Sequence, residues 1–265
     1  MRKDPFKEFL KAQIAKEKEV STGSLFLDRA FGIPLGSFLL LKGPANFGTT
    51  AIVLGLAETL IELDKTVVYV DPILSAQPHK LSPRLAEKLL ILRPWDLKPS
   101  EIYSVAIEIL DIDSEAIFIF DNIYLLENLW KSSQWNFAEL IRRIREYSFG
   151  STIIGTQRES RHYDIWSQVV TIKGKENIYA KEEGASVHKG HILSLSGPRG
   201  KSEVYIDYSI GRVSKAYEEV FLQIEKGEKS LQSAFGTNDS RTTGAWNYIH
   251  KMGELSRREN ETSKI

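Results

Sequence analysis

Apolar residues along this chain occur in short, nearly continuous runs that are separated by segments of helical periodicity. Such runs are typical of strands that are buried within a sheet, and they lie at residues 38–41, 66–71, 116–121 and 151–157. The segments between them place apolar residues three or four positions apart, which predicts helices at residues 51–63, 102–110 and 135–147. Ser100, followed by Glu101, is the expected N-cap of the second of these helices.

Residues 21–32 combine a serine- and threonine-rich turn with five apolar residues, so we expect a capped turn and a short helix there. Further on, β-forming residues predict strands at 166–172, 190–196 and 203–208, with turns at 173–174, 183–184 and 197–200.

The two ends of the chain have their own patterns. Phe6, Leu10 and Ile14 recur at helical spacing, which predicts an amphipathic helix that packs on its own core or docks on a neighbouring subunit or partner. Helices are also expected at residues 217–225, 230–235 and 245–252. The polar residues 254–265 are expected to be disordered.

Composition excludes several classes of function. The formal net charge is zero over 265 residues, so any surface that attracts nucleic acid must be local. The absence of cysteine excludes disulfides, thiolate zinc sites and thiol catalysis. No apolar run is long enough to span a membrane and the charged N-terminus is not typical of a signal peptide, so we expect a cytoplasmic protein with no membrane partner.

Residues 43–50 have the spacing of a phosphate-binding loop, G-x-x-x-x-G-K-[ST], with one departure. Gly43, Gly48 and Thr50 are in place, but Thr49 occupies the lysine position. Threonine cannot neutralise phosphate, and losing a hydrogen bond to a charged group costs about 1.5–3 kcal/mol. Phe47 is also bulky for a phosphate site. We therefore expect a vestigial nucleotide site without a bound cofactor, in which weak Mg·ATP binding remains open; the alternative is a chance glycine loop.

Asp121 ends the apolar run at 116–121. An acid in this position after a phosphate loop can hold the water shell of a magnesium ion together with Thr50. Acids are also common at strand ends for purely structural reasons, so the two interpretations stay open.

The sequence STGSLFLDRAFG at residues 21–32, followed by IPLGSFLLLKGP, resembles the opening of the RecA recombinase core. The resemblance extends over residues 21–253. It implies an α/β fold with a RecA-type phosphate-loop core at 21–212: a mostly parallel twisted sheet, flanked by helices, with an antiparallel extension. It also implies a small C-terminal domain at 213–253. The helix predicted from the spacing of Phe6, Leu10 and Ile14 would be a separate N-terminal element within residues 1–20.

The resemblance also implies that the catalytic machinery is lost. The RecA glutamate that activates the attacking water corresponds to Ile73, and the adenine contacts correspond to Gln77 and Lys80. Asp121 corresponds to the magnesium-binding acid. Gln157 corresponds to the glutamine that couples the γ-phosphate to a DNA-binding loop, or is simply a polar residue at a strand end.

RecA proteins bind DNA through two mobile loops, and both are short in this sequence. The first corresponds to residues 124–134 and contains Lys131. The second corresponds to residues 158–165, where Arg158, Arg161, His162 and Tyr163 are either DNA contacts or a polar turn between strands.

These resemblances favour a RecA-like protein without ATPase chemistry. It would act as an accessory in DNA recombination, repair or the damage-induced mutagenesis of the SOS response. Its expected partners are a recombinase, a translesion polymerase (as for the RecA-related mutagenesis factor ImuA) or another repair protein, with DNA binding and self-association as further options. The alternatives are a weak but genuine ATP-dependent recombinase and an ATP-independent DNA-binding module.

Overall fold

A central sheet with helices on both faces organises the part of the chain that the computed structural model describes. That part comprises residues 19–44, 47–76, 81–95, 97–158, 165–182, 185–207, 212–213, 218, 222 and 226–227. The predicted N-terminal helix with Phe6, Leu10 and Ile14 lies outside the described residues. So do the polar tail and, apart from a few single residues, the predicted C-terminal helices.

The described helices are α1 (Leu25–Ala30), α2 (Thr49–Glu62), α3 (Pro83–Lys88), α4 (Pro99–Ile112), α5 (Ile123–Leu129) and α6 (Phe137–Tyr147). The described strands are β1 (Glu19–Val20), β2 (Ile33–Pro34), β3 (Phe38–Lys42), β4 (Val67–Val70), β5 (Leu90–Leu92), β6 (Ile117–Phe120), β7 (Thr152–Gln157), β8 (Gln168–Glu182), β9 (Ala185–Gly197), β10 (Gly200–Asp207) and β11 (Arg212–Val213).

The main sheet has nine strands in the order β11-β10-β9-β8-β3-β7-β6-β4-β5. The strands from β8 to β5 in this order run parallel to one another. β9, β10 and β11 continue the sheet as antiparallel neighbours beyond β8. The prediction of an α/β fold with a mostly parallel sheet and an antiparallel extension is therefore confirmed.

Alternation along the central strands divides the apolar residues between two cores. In β3, Leu39 and Leu41 belong to the core beneath α2, whereas Leu40 belongs to the core beneath α4 and α6. Phe118 and Ile119 of β6 divide in the same way. Because both faces are covered, residues 38–41 of β3 and all of β6 are apolar, which explains the continuous runs in the sequence.

Two local predictions are wrong. No turn forms at residues 173–174; β8 continues through them as a strand, with a register shift between Ile172 and Gly174. The glycine therefore accompanies a β-bulge, which is a common place for glycine in a strand. Ser100 does not cap α4, because the helix already begins at Pro99 and Lys98 is its N-cap. A proline is favoured at the first helical position, where no N–H donor is needed.

Candidate functional site

The predicted nucleotide-site residues meet at the carboxyl edge of the parallel strands. Thr50 lies in the first turn of α2, after the loop that follows β3, and Asp121 directly follows β6. β7 lies between these two strands and ends at Gln157. The fold therefore brings together Thr50, Asp121 and Gln157 from three separate segments, at the edge where open α/β sheets usually bind ligands.

Asp121 is the centre of a hydrogen-bond network of hydroxyl groups. Its side chain is 1% exposed. The Thr50 hydroxyl donates to Oδ2 at 2.7 Å, and the Tyr69 hydroxyl donates to the same oxygen at 2.6 Å. The Thr156 hydroxyl donates to Oδ1. Among the described residues, no lysine or arginine pairs with this carboxylate, so its donors there are neutral.

A second buried carboxylate, Asp71, holds the turn that follows β4. It accepts the backbone N–H groups of Ser75 and Ala76, each at 2.9 Å, and the Ser75 hydroxyl at 2.9 Å. The Ser75 hydroxyl also lies 3.4 Å from Asp121 Oδ2. Ile73, at the tip of this turn, has an apolar side chain that is 45% exposed and cannot accept a proton.

Tyr69 is a site residue that the sequence prediction missed. Its burial within the sheet raises its pKa well above the ordinary value of 10.0, and the negative charge of Asp121 adds to the effect. The phenol therefore stays protonated and remains a donor to the carboxylate. The available signal was a single polar atom in an otherwise aliphatic run, since β4 reads Val-Val-Tyr-Val.

Apolar side chains of the neighbouring strands cover the glycine loop. A Cβ added to Gly43 would lie 2.9 Å from Ile172 Cβ, and one added to Gly48 would lie 3.1 Å from Leu193 Cδ1. Gly48 also has a φ of +80°, which other residues rarely adopt. Phe47 packs against the same apolar core, which contains Ile172 and Leu193. Packing and backbone geometry thus explain both glycines without a bound phosphate.

The remaining predicted residues lie in different surroundings. Arg158 and Lys131 are exposed. Residues 124–129, predicted as part of a loop, belong to the helix α5 instead. Arg161, His162 and Tyr163 lie outside the described residues, and so do Gln77 and Lys80.

Comparisons with known proteins give no family assignment: no protein-family model matches the chain, and no curated protein matches it. Within the described ranges, no group of three or more histidine, aspartate and glutamate side chains is placed to hold a metal ion. None of the described helices is both long and apolar enough to cross a membrane.

Replacing Tyr69 by phenylalanine should destabilise the protein, because Asp121 would lose one donor while remaining buried. We expect the free energy of unfolding to fall by about 1.5–3 kcal/mol, the usual contribution of a hydrogen bond to a charged group. Tyr124→Phe is the matched control, because Tyr124 is 51% exposed and its change should stay within about 0.5 kcal/mol. Urea denaturation at neutral pH measures both, and equal effects would show that the Tyr69 hydroxyl contributes nothing.

Alkaline pH should weaken the contribution of Tyr69. Since its pKa is raised in the folded protein, the phenol ionises first in the unfolded chain. Its stabilising contribution is complete below pH 10.0 and declines above it, by up to about 1.4 kcal/mol per pH unit. Between about pH 8 and 11, the free energy of unfolding should therefore decline less with pH for Tyr69→Phe than for wild type or Tyr124→Phe. If the free energy of unfolding of all three proteins changes equally with pH, the pKa of Tyr69 is not raised.

Proposed function

We propose that this protein is a RecA-like pseudo-ATPase that acts as an accessory in DNA recombination, repair or damage-induced mutagenesis by binding a partner protein. One observation carries the proposal. The Thr50 hydroxyl and the Asp121 carboxylate, two groups that would share a magnesium ion, contact each other directly at 2.7 Å beside a glycine loop that has Thr49 in the lysine position.

The convergence of distant segments supports an origin as a nucleotide site. A chance glycine loop would have no reason to lie beside Asp121 and Gln157, which follow the loop by many residues and end neighbouring parallel strands. The strand, loop and helix order around Gly43 and Gly48 is also that of a phosphate loop. The RecA type of this core, and with it the link to recombination and repair, rests on the sequence resemblance.

Four features argue against ATP hydrolysis. Thr49 provides no ammonium group for the outer phosphates, and Ile73 provides no base for the attacking water. Asp121 already accepts hydroxyl groups at both oxygens. Leu193 approaches the loop at Gly48, where phosphate oxygens would need polar surroundings. Together these features favour a fold that was kept for binding after the chemistry was lost.

An exposed apolar pair beside the site favours a protein partner. Ile73 and Trp95 are 45% and 48% exposed. The Trp95 indole donates to the Pro72 carbonyl at 2.6 Å, so the ring is held beside the turn that carries Ile73. Aromatic residues at a surface are enriched in protein interfaces. A recombinase and a translesion polymerase are the partners we propose to test, with self-association as a further option.

Calorimetric titration with Mg·ATP tests the loss of nucleotide chemistry. Wild type should give no measurable binding heat and no ATP hydrolysis. Thr49→Lys should show measurable binding, because one restored charged hydrogen bond is expected to raise the affinity about 10–100-fold. Thr66→Lys is the control, since it adds the same charge before β4, at the opposite edge of the sheet. Magnesium-dependent ATP turnover by the wild type would overturn the pseudo-ATPase proposal and favour a genuine recombinase.

Reconstituted reactions test the accessory role. Adding the protein at equimolar amounts should change the rate of strand exchange by a RecA-type recombinase or of lesion bypass by a translesion polymerase. Ile73→Ser combined with Trp95→Ala should reduce that change, because both apolar side chains leave the proposed contact surface. Leu25→Ser serves as a control at another exposed apolar position. If neither reaction responds to the wild type, the accessory role is wrong.

A further inference from the structure

A separate cavity of about 300 Å³ lies at the end of α5 and the turn that leads to α6. Its volume is at the lower end of the range for ligand-binding pockets, which is about 300–1,000 Å³. Tyr124 and Asn128 line it from the helix, and Trp130, Lys131 and Asn136 line it from the turn. None of these residues belongs to the vestigial nucleotide site.

Hydrogen bonds hold two residues of the cavity wall, Trp130 and Asn136. Trp130 is 5% exposed, and its indole N–H donates to the Leu97 carbonyl at 3.1 Å. The Asn136 side chain accepts the Glu139 backbone N–H at 2.9 Å and thereby caps α6. Walls that are already ordered lose little entropy when a ligand binds.

The neighbouring ring of Trp135 steadies the turn. The Arg143 guanidinium lies 4.1 Å from its centroid, and the Tyr103 ring meets it edge-on at 5.6 Å. Such contacts contribute about 0.5–1.5 kcal/mol each. The turn between α5 and α6 is therefore tied to both α4 and α6, although it has no regular structure.

Three polar groups on the cavity wall are not used within the described part of the chain. The Tyr124 hydroxyl, the Asn128 amide and the Lys131 ammonium have no hydrogen-bond partner among the described residues. They offer a half-exposed aromatic ring, an amide that both donates and accepts, and a cation. That combination matches a ligand with an apolar or aromatic group, a peptide-like polar edge and a negative charge.

We infer that this cavity binds a peptide segment of a partner protein in which an acidic residue stands beside an aromatic one. The aromatic side chain packs against Tyr124, beside Trp130 on the cavity wall. The acidic side chain pairs with Lys131, and the Asn128 amide bonds the peptide backbone. The inference rests on the proposed function, because it assumes that the chain acts by binding a protein.

Charge favours a peptide over a nucleic acid as the occupant. Glu127 also lines the cavity, so the two charged side chains of the wall have opposite signs, which does not suit a polyanion. A nucleic-acid groove normally presents several cations along the backbone path, whereas Lys131 is the one cation on the wall of this cavity within the described residues. The formal net charge of the chain is zero, so no long-range field compensates for this.

Nuclear magnetic resonance of the full chain tests the inference. The probes are acetyl-Asp-Phe-amide, its charge-inverted counterpart acetyl-Lys-Phe-amide, and an oligothymidylate of about ten nucleotides. The acidic peptide should shift the Trp130 indole resonance in a saturable way. Lys131→Gln should weaken that binding about fivefold or more, and the exposed control Lys201→Gln should leave it unchanged.

Three outcomes would overturn the inference: no saturable shift with the acidic peptide, equal binding of both peptides, or equal effects of Lys131→Gln and Lys201→Gln. A Trp130 shift caused by the oligothymidylate, with steep salt dependence, would assign the cavity to nucleic acid instead. Neither the Mg·ATP titration nor the Ile73 and Trp95 variants involve the cavity. A negative result for peptide binding therefore leaves the proposed function unaffected.

Discussion

The Asp121 carboxylate is buried at the end of β6, and hydroxyl groups surround it. Removing a carboxylate from water costs several kcal/mol unless good partners replace the lost hydration. Thr50, Tyr69 and Thr156 supply those partners, and each comes from a different element of the fold. The loop helix α2, the strand β4 and the strand β7 must therefore be in register for the charge to be tolerated.

The glycine loop has the glycine spacing of a phosphate loop, and apolar side chains pack against it. In an intact nucleotide site, its glycines admit oxygens to the backbone N–H groups. Here Ile172 and Leu193 occupy the space that side chains at Gly43 and Gly48 would need. Phe47 joins the same apolar core. Packing against the antiparallel extension therefore constrains the loop at both glycines.

The turn after β4 and the turn between α5 and α6 present surfaces that suit different contacts. The turn after β4 presents Ile73 beside Trp95, an apolar surface with little hydrogen-bonding capacity. The turn between α5 and α6 instead presents a polar cavity with an aromatic wall and one cation. Both surfaces are rigid, because Asp71 holds the first turn and the packing of Trp130 and Trp135 holds the second.

The sequence by itself determined the alternation of strands and helices, the position of the glycine loop and the placement of Thr50 and Asp121 at element ends. These features follow from local patterns, because strands covered on both faces must be apolar throughout. The tertiary structure decided the rest. The hydrogen bonds from three hydroxyl groups to Asp121 depend on the strand order. That order places β7 between β3 and β6, and it brings Tyr69 to Asp121, which is far away in sequence. The local sequence at residues 173–174 is typical of a turn, yet the strand continues because β9 pairs with Ile172 and Gly174 on either side of the bulge. Local propensity cannot encode such pairings, since their free energy comes from contacts between distant segments.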